Sequence, residues 1–139
     1  MTVAAPSAPA WTAWEGTRAL SFLHARVRQL LVSQGVEDRV EEIGGSPIHY
    51  YAAGPADAAR TVVLLHGLGD SANDWFRSIP VLAWRGDRVL AIDLPGHGLS
   101  PPRDERGFLH VNEHADLVRE FVSRAGTGGE VALVGHSLG

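Results

Sequence analysis

Apolar residues recur along this chain with two different periods, and the changes of period mark its elements. Between Leu20 and Gly35 the positions Leu20, Leu23, Val27, Leu30 and Leu31 follow helical spacing, with Arg26, Arg28 and Gln29 between them and Gly35 as a stop. The pattern predicts a leading amphipathic helix within residues 17–38, a packing element without chemistry of its own. Two strands follow, at about Arg39–Ile43 and Pro47–Ala52, and Gly44-Gly45-Ser46 between them makes the pair a hairpin. The unbroken runs Thr61–Leu65 and Asp87–Ile92 read as strands buried on both faces, with room for a helix between them. A second helix is predicted over Val111–Ala125, its stripe formed by Leu117, Val118, Phe121 and Val122, and a last strand over Glu130–Val134. Apolar strands alternating with helices predict an α/β fold with a mostly parallel sheet. The first 16 residues carry Pro6, Pro9 and several small residues but no periodicity, and are expected to form a flexible arm.

Composition narrows the chemistry. The 139 residues are 45% hydrophobic and 20% charged, with a formal net charge of -4, as in a globular chain of one domain at most. A mildly negative chain has no concentrated positive charge for a phosphate backbone, so no nucleic-acid partner is expected. All 12 basic residues are Arg. Without Lys there is no P-loop and no Schiff base, and without Cys there is no disulfide, thiol nucleophile or thiolate-held metal. No run approaches the ~18 apolar residues of a membrane span, and the N-terminal stretch lacks a basic leader pattern, so the expected location is cytoplasmic, with no membrane partner.

Three loops stand out, each directly after a predicted strand. Gly135-His136-Ser137-Leu138-Gly139 puts a serine at a sharp strand-to-helix turn, where flanking glycines relieve crowding and the hydroxyl stands above the sheet. His66-Gly67-Leu68-Gly69 follows the TVVLL strand, and its glycines let backbone N–H groups approach a ligand. Asp93-Leu94-Pro95-Gly96-His97-Gly98-Leu99-Ser100 is a tight loop specified by its Pro and Gly residues. Taken singly, each is equally readable as an ordinary βα turn, with His66, His97 and Asp93 as structural residues. Together they lie at the carboxyl ends of strands, where open α/β sheets place ligands.

In that order and context the chain resembles the α/β-hydrolase fold superfamily over residues 39–139, its N-terminal portion up to the nucleophile elbow. The resemblance implies that Ser137 is the nucleophile and that the backbone N–H groups of Leu68 and Leu138 are oxyanion-hole donors. It implies loop-shaping roles for His66, Gly67, Gly69, Asp93, Gly96, Gly98, Gly135, His136 and Gly139. Trp75 and Phe76 resemble the aromatic pair that opens the first sheet-covering helix and are expected in the core. The implied activity is hydrolysis of an ester or related acyl compound through an acyl-enzyme, with a small-molecule acyl substrate and no cofactor or metal; Ser instead of Asp at the elbow argues against alkyl-enzyme chemistry.

The family's acid and histidine follow the nucleophile in chain order, whereas His24, His49, His66, His97, His110, His114 and His136 all precede Ser137, so no histidine matches that role. Asp116 and His114 fall on the predicted second helix and are expected to face solvent. The elbow strand is expected at the sheet edge, open to self-association, and the isolated chain is expected to be marginally stable and inactive. Two other readings stay open: a noncatalytic subunit using that edge, and a module whose Gly-rich loops bind an anion. Dinucleotide binding is disfavoured, since Ala72 stands where the third glycine of G-x-G-x-x-G would fall.

Overall fold

The computed structural model describes residues 18–107, 109–125 and 129–139, with side-chain surroundings from residue 22 onward. The expected arm over the first 16 residues lies outside them. Helix α1 spans Arg18–Ser33. It ends as the sequence dictates: Gly35 takes φ +83, which only glycine adopts without strain. The Gly35 N–H then donates to the Val32 carbonyl and the Val36 N–H to the Leu31 carbonyl, a paired C-cap sealed by contact of buried Leu31 with Val36. The helix therefore stops short of residue 38, and Glu37 and Asp38 open the first strand instead.

Strands β1 (Glu37–Ile43) and β2 (Ser46–Ala53) form the expected hairpin. Gly44 and Gly45 both have positive φ, the geometry of a two-residue turn whose twist matches the flanking strands. Next come β3 (Arg60–Leu65), a 3-10 turn at Ala72–Trp75, α2 (Ser78–Trp84), β4 (Arg88–Ile92), α3 (Val111–Ala125) and β5 (Glu130–Gly135). The sheet order is β1-β2-β4-β3-β5. The three apolar strands β4, β3 and β5 run parallel as predicted, while β2 joins β4 antiparallel, so the five-stranded sheet is mixed.

Alternation along the central strands divides the core into two layers. Tyr50, Val63, Leu90 and Ile92 face α3, where Leu117, Val118 and Phe121 cover them. Tyr51, Val62, Leu64, Val89 and Ala91 face the other way, against Leu31 of α1 and Ile79 of α2. Trp75 and Phe76 pack against this second layer, as expected, from the 3-10 turn and the residue after it. Strand β5 is the exception: it bonds to β3 on one side only, and Val131, Leu133 and Val134 are exposed.

Phe121 is fully buried and meets the Tyr50 ring edge-on at 5.0 Å. Phe121→Ala leaves a cavity under the sheet and is expected to cost about 3–5 kcal/mol, read as a lower urea midpoint at unchanged slope.

Candidate functional site

The parallel strands bring the three singled-out loops to one end of the sheet. At the first, the His136 N–H donates to the Leu65 carbonyl at 3.1 Å, prolonging the β5–β3 ladder by one bond before the chain turns. Ser137 then takes φ +58, alone among the described non-glycine residues in the left-handed region, at a cost of about 1–3 kcal/mol held by the surrounding packing. The flanking glycines are required by space. A Cβ on Gly135 would sit 2.3 Å from the Gly139 carbonyl carbon, and one on Gly139 2.4 Å from the Leu65 oxygen. The Ser137 side chain is exposed.

The His-Gly loop lies against this turn: a Cβ on Gly67 would come within 3.0 Å of the Ser137 Cβ and 3.3 Å of the His136 Nδ1. Gly69 turns the loop with φ +78. Leu68 is exposed, and within the described residues neither its N–H nor that of Leu138 has an acceptor. Both ends of the loop are clasped to the end of β4. At its start, the Leu94 N–H donates to His66 Nε2 at 2.9 Å while His66 Nδ1 lies 2.7 Å from the Gly67 carbonyl, an arrangement that requires the neutral ring protonated on Nδ1. Burial pushes this imidazole below its ordinary range despite the opposing pull of Gly67 and Asp93. With both nitrogens engaged, His66 is a structural residue.

At the loop's other end the Ala72 N–H donates to Asp93 Oδ1 at 2.6 Å. Asp93 Oδ2 accepts from the Leu99 N–H at 2.9 Å and from His49 Nδ1 at 2.7 Å. Burial pushes the Asp93 carboxyl upward, but the His49 ring and the two backbone donors outweigh it and hold it below the usual carboxylate range. Gly98, φ +52, runs so close that a Cβ there would fall 2.2 Å from the Asp93 Oδ2, and Gly96, φ +82, would meet the Gly107 oxygen at 2.8 Å. Gly98 and the Leu99 amide thus close around the Asp93 carboxylate.

The His97 ring lies tilted at 5.0 Å from His66 and edge-on at 6.5 Å from His114, centroid to centroid. His114 is buried rather than solvent-facing, because it sits on the same helical stripe as Leu117, Val118 and Phe121; Asp116 is exposed as expected. Among the described residues the His114 Nδ1 has no hydrogen-bond partner, and burial with His97 and His66 nearby pushes the ring down. A cavity of about 410 Å³ opens beside it, lined by Leu65, Leu94, Leu133 and Leu138 among others. A smaller one, about 270 Å³, is lined by His66, Asp74, Trp75 and His136 next to the elbow. His136 is largely exposed, 3.9 Å from Asp70. Among the described residues no group is placed to hold a metal, and none hydrogen-bonds to the Ser137 hydroxyl.

The sequence did not single out His49, Asp38 or Tyr51. His49 Nε2 faces Asp38 Oδ1 at 3.1 Å, and the Tyr51 hydroxyl donates to Asn73 Oδ1 at 2.8 Å, tying β2 to the 3-10 turn. The available signal was a lone histidine inside the apolar β2.

The pH response follows from these groups. His66 and His114 have folded values lowered from 6.5, so their contribution is complete above about pH 6.5 and is lost as pH falls toward the folded values. Asp93, lowered from 3.8, contributes above about pH 4 and loses that contribution as pH falls through its folded value. Thermal unfolding should therefore show two successive losses of Tm, below about pH 6.5 and below about pH 4, and His114→Leu should shrink the first.

Residues 60–139 match the α/β hydrolase fold family. The dihydrolipoyllysine-residue acetyltransferase component of an acetoin cleaving system from Pseudomonas putida is 32% identical over 109 residues, covering 73% of this chain and 29% of the relative. A serine hydrolase-like protein from Dictyostelium discoideum is 34% identical over 107 residues, 77% of this chain and 30% of its own length; other relatives carry esterase and epoxide hydrolase names. Among solved structures, a membrane phospholipase A described as a bacterial virulence factor superposes with a TM-score of 0.73 at 27% identity, over 94% of this chain and 41% of that one. The chain spans about three tenths of the length of these curated relatives. By its sequence match and its sheet, the chain belongs to the α/β hydrolase fold family.

Proposed function

We propose that this chain carries the nucleophile and oxyanion-binding part of a serine hydrolase acting on an ester or related acyl compound. The observation that carries the reading is the juxtaposition at one strand end: a serine in a left-handed turn, a glycine against its Cβ, and unengaged N–H groups on Leu138 and Leu68. The Ser137 oxygen bonds to the acyl carbon, the carbonyl π pair moves onto oxygen, and the two N–H groups donate to that oxyanion. Such a donor is worth about 3 kcal/mol in the transition state. Collapse expels the alcohol, leaving an acyl-serine that water then hydrolyses. The serine proton passes to a base and from it to the leaving group.

The three histidines of the strand-end loops do not suit that base. His66 has both nitrogens committed, His97 Nδ1 lies against the Pro95 carbonyl, and His136 is adjacent to Ser137 along the chain. The base and its acid then belong to polypeptide outside residues 1–139, in keeping with the chain's span of its relatives. A second reading, a noncatalytic protein that pairs through β5, is favoured by that strand's exposed Val131, Leu133 and Val134.

A fluorophosphonate probe with intact-mass detection distinguishes the two. In the protein including the base, a single adduct should form at Ser137 and vanish in Ser137→Ala, together with at least a 1,000-fold loss of ester turnover on the order expected for a lost nucleophile. The 139 residues alone should give no more adduct than Ser137→Ala. Ester hydrolysis indifferent to Ser137→Ala would overturn the proposal.

A further inference from the structure

We infer that His49, with Asp38 behind it, is a positioning residue for the loop that the proposed function uses to bind the oxyanion, and that this control reaches helix α1 through Arg28. The inference rests on that reading only for the chemistry of the loop, not for its placement.

Asp93 is held from three sides. Its two oxygens bond to backbone N–H groups on two different loops, Ala72 on Oδ1 and Leu99 on Oδ2. Each bond requires a particular rotation of the carboxylate about its own side-chain axis. Among the described residues the one side chain that bonds to Asp93 is His49, at 2.7 Å on Oδ2. His49 thus fixes which oxygen is presented to Ala72, the residue that closes the His-Gly loop. The ring is in turn fixed from both sides: Asp38 faces its Nε2 at 3.1 Å, and the Tyr51 ring meets it edge-on at 4.9 Å.

A histidine that only filled the core would need one partner. Here both ring nitrogens face carboxylate oxygens, Nδ1 that of Asp93 and Nε2 that of Asp38. The result is a file of polar contacts running from solvent to the site: Arg28 on α1 meets Asp38 on β1, Asp38 meets His49 on β2, and His49 meets Asp93 after β4. Exposure falls along it. The Arg28 side chain is 49% exposed, Asp38 18% and His49 2%. Coupling strengthens as solvent screening weakens, so the influence of each member on the loop should rise in that order.

Amide hydrogen exchange tests this directly. His49→Leu, which keeps the buried space apolar and filled, should raise exchange at the Ala72 and Leu99 amides at least tenfold while the β3 and α3 amides keep their protection. Asp38→Ala should raise the same two amides several-fold, Asp38→Asn should restore them because its side-chain oxygen still accepts from Nε2, and Arg28→Gln should have the smallest effect. Unchanged exchange at Ala72, or a rise spread evenly over the whole chain, would overturn the inference. If His49→Leu does not fold, the Asp38 pair decides alone, since Asp38 lies near the surface. Where fluorophosphonate labels Ser137, His49→Leu should slow adduct formation at least tenfold without weakening the initial noncovalent binding, and an unaltered labelling rate would count against it. Absence of labelling in the unsubstituted protein that includes the base defeats the proposed function, while the exchange pattern still decides the role of His49.

Discussion

One buried carboxylate sets the geometry on which the rest of the site depends. Asp93 is almost fully enclosed, and an ionised group in that position is tolerable only if its oxygens find strong donors. It finds three, on β2, on the turn after β3 and on its own loop, so satisfying one charge fixes three pieces of chain relative to each other. The His-Gly loop is the main beneficiary. Its first residue bonds to Leu94 and the residue that closes it bonds to Asp93, so adjacent positions on one strand end hold both of its feet. The space left is so small that position 98 has room for no side chain.

The two layers of the core serve this arrangement unequally. Over β2, β4 and β3, apolar side chains on both faces meet helices or the 3-10 turn, and the strand ends that carry Asp93 and His66 continue from this covered part of the sheet. Over β5, the neighbouring cavities leave Leu133 and Val134 in contact with solvent. The elbow is therefore built on the least covered strand, and its local shape comes from backbone contacts with β3 rather than from packing of β5 itself. Local steric fit substitutes there for a core.

Legibility in the sequence followed the range of the interactions. Helix α3 begins and ends where the apolar stripe predicted, at Val111 and Ala125, and the hairpin followed from two adjacent glycines, because both depend on neighbours a few residues away. The elbow was readable for the same reason. His49 was not: its partners Asp38 and Asp93 lie 11 and 44 residues away, and no local pattern encodes that meeting. His114 went wrong through residue type, since a polar side chain at an apolar position of the stripe was read as an outward one. The place of the hairpin in the sheet was hidden, because chain order does not say that it docks beside β4 and not beside β3.

Leu65 ties these parts together in a further way. Its carbonyl receives the His136 N–H and lies against Gly139, while the next peptide bond leads into His66 and the loop clasped to β4. The serine turn at the end of β5 and the His-Gly loop at the end of β3 thus meet at one residue. Their separation is set by a few covalent and backbone links, not by how two independently mobile units happen to dock. A breathing motion of the sheet that displaces β3 carries both together, so their mutual distance is insulated from fluctuations that would blur a site assembled from opposite sides of a cleft.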